Sequence, residues 1–378
     1  MEILTEKIDL NNLDKSNWET FKFDEIAQKI SKTIDPNETS LETYVGLEHI
    51  DAEDLHIRRK GTTDDVKGGK LRCYPGDIIF GKRRAYQRKA AIVDFDGICS
   101  AHAFVLRANS EVIDPKLFPF FLHSDQFMHR MVDISVGGLS PTINWGDLKH
   151  QEFLLPPKDQ QAQMAKLLWA MDEVIEKEKE VFYSIDKLFK TKAKYISDNH
   201  IHEGQYKKIK EVCLIKDNMR KPLNSSQRDK MKGDIPYYGA NGLVGYLNDF
   251  IFDEDLVLVA EDGGNFNEFY AKNIAYRVSG KSWVNNHAHV LIAKDEFLSN
   301  EWLYYSLVHK NILKYIIGST RLKLNKSELE RVTLWIPSEK LMKTLTLEMD
   351  EINHSKMIAN EKLKSSQSLQ KSLINQIF

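Results

Sequence analysis

The sequence predicts an α+β protein: two similar globular α/β domains separated by two long helices that pair as an antiparallel coiled coil within one chain. Three observations predict it. The chain repeats itself at long range. The repeated parts carry short apolar runs broken by Gly, Pro and Asp. Each is followed by a long Pro- and Gly-free stretch with a heptad pattern.

The repeat is read by matching residues. Val136-Gly137, Leu139, Ile143, Asn144, Leu148, Phe153, Leu155 and Pro156 return 181 positions later as Ile317-Gly318, Thr320, Leu324, Asn325, Leu329, Leu334, Ile336 and Pro337. Upstream, His102-Ala103-Phe104-Val105-Leu106 returns 185 positions later as His287-Ala288-His289-Val290-Leu291. A solenoid would recur every 20–50 residues or so; this spacing is that of a duplicated domain. Two diverged copies of one binding module imply two similar but non-identical things to hold.

Residues 1–156 form the first copy. Tyr44-Val45-Gly46-Leu47, Asp77-Ile78-Ile79-Phe80 and Ala90-Ala91-Ile92-Val93 read as strands, and Pro115 to Met131 reads as one helix with proline in its first turn. Residues 157–203 form the first spacer helix. Its apolar positions are Met164, Leu167/Leu168, Met171, Val174/Ile175, Val181/Phe182, Ile185, Leu188/Phe189 and Tyr195/Ile196, with Glu178 and Lys192 at two seam positions. Residues 204–337 repeat the first copy, and 338–378 form the second spacer helix. There Leu345, Ile352, Ala359, Ser366 and Leu373 fall seven apart, with Met342, Met349, Leu363 and Ile377 at most of the other seam positions. At 1.5 Å per residue, ~40 residues make a helix of ~60 Å. Two helices of matched length in one chain favour intramolecular pairing over a homodimeric coiled coil.

Composition places the chain among ordinary soluble proteins, with 42% apolar and 29% charged residues. Cys73, Cys99 and Cys213 form no CxxC pair, which fits a reducing cytoplasm, and no apolar run approaches the ~18 residues of a membrane span. Net charge is −2, but residues 58–89 hold eleven Lys/Arg against three Asp, a patch able to attract phosphates.

Signatures of catalysis are missing. The chain has no G-x-x-x-x-G-K-[ST], no G-x-G-x-x-G, no [ND]-P-P-[YF] tetrad, no H-E-x-x-H and no G-x-S-x-G. His287-Ala288-His289 lacks further ligands at metal-site spacing, and the first copy has Phe104 where the second has His289. The expectation is therefore a non-enzyme with no metal and no cofactor of its own.

Binding candidates lie in two sets. Gly81 to Lys89 places Lys82, Arg83, Arg84, Arg88 and Lys89 around Tyr86, between two strands. This is either a solvated hairpin tip or a DNA-contacting loop, in which Arg offers a fork to guanine or phosphate and Lys a point charge. The second copy is instead rich in Asn and Gly: Asn241 in Tyr237-Tyr238-Gly239-Ala240-Asn241-Gly242, and Lys281, Trp283, Asn285 and Asn286 in Gly280 to His287. Asn can read adenine bidentately, but Asn285 and Asn286 could equally satisfy buried strand ends. Arg321 and Lys323 are backbone-contact candidates whose first-copy counterparts are Ser140 and Thr142.

With these residues in hand, the chain resembles the specificity subunit of type I restriction–modification systems. The strings that carry the resemblance are Tyr44 to Ile50, Gly76 to Lys82, Tyr237 to Gly242, Ala260 to Gly264, Lys281 to Leu291, Leu154-Leu155-Pro156-Pro157 with Gln160-Gln161, and Trp335-Ile336-Pro337. Their order and duplication extend over essentially the whole chain. Ser338-Glu339-Lys340 departs from the usual Pro-x-x-x-Gln-Gln, which puts the start of the second helix in doubt. The resemblance implies two target-recognition domains reading a bipartite, asymmetric site in double-stranded DNA. It also implies helices that act as a ruler and as a platform for two adenine-N6 methyltransferase subunits, joined by restriction/translocase subunits. S-adenosylmethionine, and ATP with Mg, would be bound by those partners. Two rival readings are a protein-binding scaffold that homodimerises through its helices, and a nuclease with an acidic site around Glu261 and Asp262.

Overall fold

The computed structural model describes residues 13–198 and 204–378; the first twelve residues of the first copy and positions 199–203 of the first spacer lie outside them. The chain divides into two compact units, Met1–Glu178 with Lys362–Phe378, and Lys179–Glu361. Each unit holds one globular copy and half of each long helix.

In the first unit, the mostly buried strands Ala27–Ile30, Ala103–Ala108, Ile78–Gly81 and Ala90–Ile92 lie side by side in that order, all antiparallel. In the second unit Cys213–Ile215, Ala288–Ala293, Leu256–Ala260 and Ala275–Val278 repeat the order. Val105 faces Ile79 as Val290 faces Leu258, so the register is repeated too. The two central strands of each sheet are nearly continuous apolar residues because both faces are covered there, whereas the outer strands carry polar residues such as Gln28, Lys29 and Arg277. Each copy has a second sheet containing one parallel pair, Thr43–Val45 with Gly97–Cys99 and Ile235–Gly239 with Lys281–Val284. A two-stranded ribbon closes each copy: Glu19–Lys22 with Glu152–Leu155, and Gln205–Lys208 with Thr333–Ile336.

The helix expected over Pro115 to Met131 is in fact two, Phe118–His123 and Asp125–Asp133. Ser124 breaks it. Its backbone is extended, and its hydroxyl donates to the Phe121 carbonyl at 2.7 Å and accepts from the Phe127 amide at 3.2 Å. A serine that can cap a new helix competes with continuing the old one. The break lets Phe121 and Phe127 pack on each other and on Phe153 in the core.

The long helices run Lys158–Ser197 and Glu339–Ile377. Gln161 pins the first to its globular copy: its amide donates to the Pro156 and Val112 carbonyls, and its carbonyl accepts from the Asp114 amide. Ser338 starts the second, its hydroxyl 3.4 Å from the Leu341 amide, so a serine cap stands in for the absent proline motif. The helices pair antiparallel in both units. In the second, Lys192 meets Glu348 and Asp186 meets Lys356; in the first, Glu178 meets Lys362 at 3.5 Å. The two seam positions that looked anomalous, Glu178 and Lys192, thus face opposite charges on the partner helix. The apolar doublets of the first helix divide cleanly. Leu168, Ile175, Phe189 and Ile196 are buried and Phe182 half-buried, while Leu167, Val174, Val181, Leu188 and Tyr195 are exposed. Among the described residues, no helix is long and apolar enough to cross a membrane.

Candidate nucleic-acid interface

The same backbone framework recurs at the end of the third core strand of each sheet. In the first copy, Val136 and Thr142 close a hairpin, and Thr142 also bridges Arg83; the Ile143 amide donates to the Lys82 carbonyl at 2.9 Å. In the second, Ile317 and Lys323 close the hairpin, Lys323 bridges Asp262, and the Leu324 amide donates to the Glu261 carbonyl at 2.7 Å. Lys82-Arg83 and Glu261-Asp262 therefore occupy equivalent positions with opposite charge.

The first-copy loop connects Ile78–Gly81 to Ala90–Ile92 as a hairpin with a single helical turn at Ala85–Gln87. Arg84 and Arg88 flank that turn in the left-handed region, φ 57° and 52°. Such a backbone is uncommon outside glycine and re-aims successive residues. The cations separate accordingly. Arg83, Arg84 and Tyr86 are exposed; Arg84 donates from Nε to the Ser140 hydroxyl at 3.0 Å. Lys82 is half-buried with its ammonium 5.4 Å from the centre of the Phe104 ring, and desolvation, then Lys29, hold its pKa below the ordinary value. Arg88 and Lys89 turn inward. Arg88 pairs with Glu53 at 2.7 Å and Asp125 at 2.8 Å and donates to the His123 carbonyl; Lys89 donates to the Leu47 carbonyl at 2.6 Å. The charge excess over 58–89 is also smaller in space than in sequence. Arg58 pairs with Asp54 and Glu176, Arg59 with Asp51, Lys60 with Asp94 and Arg72 with Asp96.

In the second copy the acidic pair gathers cations. Glu261 accepts from Arg220 at 2.7 Å and lies 3.1 Å from Lys323 Nζ; Asp262 accepts from Arg321 at 2.9 Å and meets His287 Nδ1 at 2.6 Å. Behind them, buried His289 uses both ring nitrogens, Nδ1 to Asp217 at 2.6 Å and Nε2 to the Leu324 carbonyl at 2.7 Å. Burial opposes ionisation of Asp217, but the bonds from His289 and the Val290 amide, with Arg220 nearby, outweigh it and hold its pKa below the ordinary value. Burial likewise opposes ionisation of Asp262, and Arg321 and His287 outweigh it. Asp217, Glu261 and His289 are close enough to share a metal ion. Arg220 and Lys323 already sit on these carboxylates, and His289 has no ring nitrogen to spare, so the donor set does not fit one.

The remaining candidates divide the same way. Trp283 is buried with Tyr237 and Leu247, its indole donating to the Lys221 carbonyl at 2.8 Å. Asn285 is buried and its carbonyl accepts from the His287 amide at 2.8 Å, which is the strand-end role. Asn286 is exposed, as are Asn241, which donates to the Gly263 carbonyl, and Lys281, which lies over the Phe250 ring. Arg321 is 67% exposed. Sequence reasoning missed Arg220 and Asp217, which order this surface from underneath; an Asp and an Arg three apart in a polar stretch gave no signal of it.

Comparison with known proteins agrees with this duplicated framework. The model of the family described as "Type I restriction modification DNA specificity domain" matches residues 15–182 and again 202–344. A Haemophilus influenzae chain named as a type I restriction enzyme specificity subunit is 40% identical over 135 residues, 36% of this chain and 34% of the relative. The EcoDI specificity subunit of Escherichia coli is 29% identical over 168 residues, 43% of this chain and 37% of the relative. The matched stretches thus span about a third of the length of these curated relatives. The crystal structure of the type I restriction–modification S subunit from M. genitalium shares the fold at 17% identity, covering 97% of this chain and 98% of that one with a TM-score of 0.63. With the domain matched twice over most of its length, the chain belongs to the type I restriction–modification specificity subunits.

Proposed function

We propose that the chain is the DNA-reading, non-catalytic subunit of a type I restriction–modification complex, with one half of a bipartite, asymmetric site read by each globular copy. The observation that carries the reading is the shared framework bearing opposite charge, Lys82-Arg83 in one copy and Glu261-Asp262 in the other. A common backbone with diverged side chains is what two related readers of different sequences require. We assign outward contacts in the first copy to Arg83, Arg84, Tyr86 and the tip of Lys82, and in the second to Arg321, Lys281, Asn241 and Asn286. Lys323 contributes through its pair with Glu261. Arg88, Lys89, Trp283 and Asn285 hold the reading surface in place. We retain residues 1–156 and 204–337 as the reading heads, and the long helices as the ruler for the unread spacer. The exposed apolar members of the doublets offer docking positions for two methyltransferase subunits, with restriction/translocase subunits joining them. S-adenosylmethionine and Mg-ATP chemistry belongs to those partners.

The test is to express the chain with its methyltransferase partners and map methylated adenine in the host genome. Two short defined blocks with an unread gap support the reading, and removing one heptad from each long helix shortens that gap. A continuous motif, or methylation independent of this chain, overturns it.

A further inference from the structure

In the second unit, the first long helix, Phe269-Tyr270 and the segment following the helix Asn300–Leu307 line an open cavity of about 860 Å³. That is the size of a small-molecule site. Lys187, Lys190 and Lys194 line it from one face of the long helix, and Lys310 and Lys314 from the following segment. Of the two aspartates at its wall, Asp186 is already taken by Lys190 at 2.6 Å and Lys356 at 2.5 Å. Lys187, Lys194 and Lys314 have no carboxylate partner among the described residues.

Lys310 is buried, and its ammonium donates to the Ser197 carbonyl at 2.6 Å. Burial, then the charge of Lys314, push its pKa down to about 8, against the opposing pull of Asp198. His309, also buried, lines the same cavity; its Nδ1 bonds the Phe269 carbonyl at 2.7 Å and its Nε2 has no partner. Lys187, Lys194 and Lys314 are exposed at the rim while Lys310 is set within the wall, so an anion entering the cavity meets ammonium groups from both the helix and the following segment. Two flat rings, Tyr183 and Tyr270, are exposed at the lining. The first copy does not repeat Lys310 at the upstream offset: 185 positions before it stands Asp125, bonded to Arg88 and Asn375.

We propose that this cavity binds phosphate groups, carried either on a free nucleoside polyphosphate or along a nucleic-acid backbone. Lysines act as point-charge phosphate binders, and an aromatic ring beside them suits a base. None of these residues belongs to the reading surface, so the inference stands apart from the recognition reading.

The test titrates the full chain by calorimetry with inorganic tripolyphosphate, a nucleoside triphosphate and a short duplex at low salt. The wild type is compared with K187A/K194A/K314A and with K22A/K116A/K166A, which removes the same charge from exposed positions outside both the cavity and the basic stretch 58–89. Tripolyphosphate should bind the wild type and the control alike, and the cavity variant roughly tenfold or more weakly, as the removal of charge-assisted hydrogen bonds requires. Tighter binding of the nucleoside triphosphate than of tripolyphosphate assigns the site to free nucleotide. Equal binding of the two, with duplex affinity abolished in the cavity variant, assigns it to the backbone. The proposal is overturned if tripolyphosphate gives no binding, or if the cavity variant and the control weaken equally. Because the three substituted lysines have no carboxylate partner among the described residues, unchanged thermal unfolding should accompany the weaker binding.

Discussion

Arg83 and Asp262 hold the same backbone position in the two copies, each bridging the far side of a short hairpin, Arg83 to Thr142 and Asp262 to Lys323. Duplication preserved the position and divergence reversed its charge. In the first copy the cation is left facing outward; in the second the anion collects Arg321 and His287 and presents them instead.

Arg83 and Arg84 are exposed and make no ion pair among the described residues, so their removal should act on binding and not on folding. The double variant R83A/R84A is expected to flatten the dependence of DNA affinity on salt, by about one unit of slope for each phosphate no longer neutralised. Thermal unfolding should stay within about 0.5 kcal/mol of the wild type. An unaltered slope in a filter-binding series would return the loop to a solvated hairpin.

Arg88 lies five residues from Arg83 and should behave oppositely. Its guanidinium joins Glu53, Asp125 and the His123 carbonyl beneath the loop. Arg88→Ala removes one partner from each of these acceptors, although Glu53 keeps Lys371 and Asp125 keeps Asn375, and should cost about 1–2 kcal/mol in denaturant unfolding, limited by the partly exposed carboxylates. Any drop in DNA affinity should then be recovered by lowering the temperature.

Glu178 occupies an apolar seam position, is buried, and neither carboxylate oxygen has a hydrogen bond; Lys362 is 3.5 Å away. Replacing such a charge with a well-packed apolar group is commonly neutral or stabilising. Glu178→Leu is expected to raise the unfolding midpoint by an amount corresponding to about 1–2 kcal/mol. A lower midpoint would show that Lys362 satisfies the carboxylate better than its distance suggests.

His56 binds Asp172 of the first long helix at 2.8 Å. That hydrogen bond, against the cost of burial and with Asp172 and Glu176 adding charge, raises its pKa above 6.5; Arg58 opposes. The folded state therefore prefers the protonated ring. Its contribution is complete below pH 6.5 and is lost as pH rises through the raised value. Between about pH 6 and pH 8.5, the wild type should lose more of its unfolding midpoint than His56→Gln does. Parallel curves would mean the ring gains nothing from its charge.

The duplication, the two long helices and their antiparallel pairing were legible because each rests on a periodic signal: a repeat offset, a heptad, a matched length. Leu167 and Leu168 show the limit. Periodicity placed both on the seam, and packing put one inside and the other out. The break at Ser124 escaped notice because a capping serine is locally indistinguishable from any polar residue on a helix face. The site was legible in part. The basic run stood out by composition, but a run of cations does not say which of them meets a carboxylate. Glu53 and Asp125 approach Arg88 from different segments of the chain, and Asp51, Asp94 and Asp96 likewise reach other members of the run. Arg220 and Asp217 were invisible for the same reason.

The first unit is assembled from segments far apart in the chain. Met164 and Leu168 share a cluster with Ile374 and Ile377, Phe378 packs on Phe121, and Asn375 bonds Asp125. During synthesis these partners are absent until the whole second unit has been made. The globular copy that leaves the ribosome first is thus the last to be finished, and its exposed apolar surface must wait, protected or at risk, for the end of the second long helix to arrive.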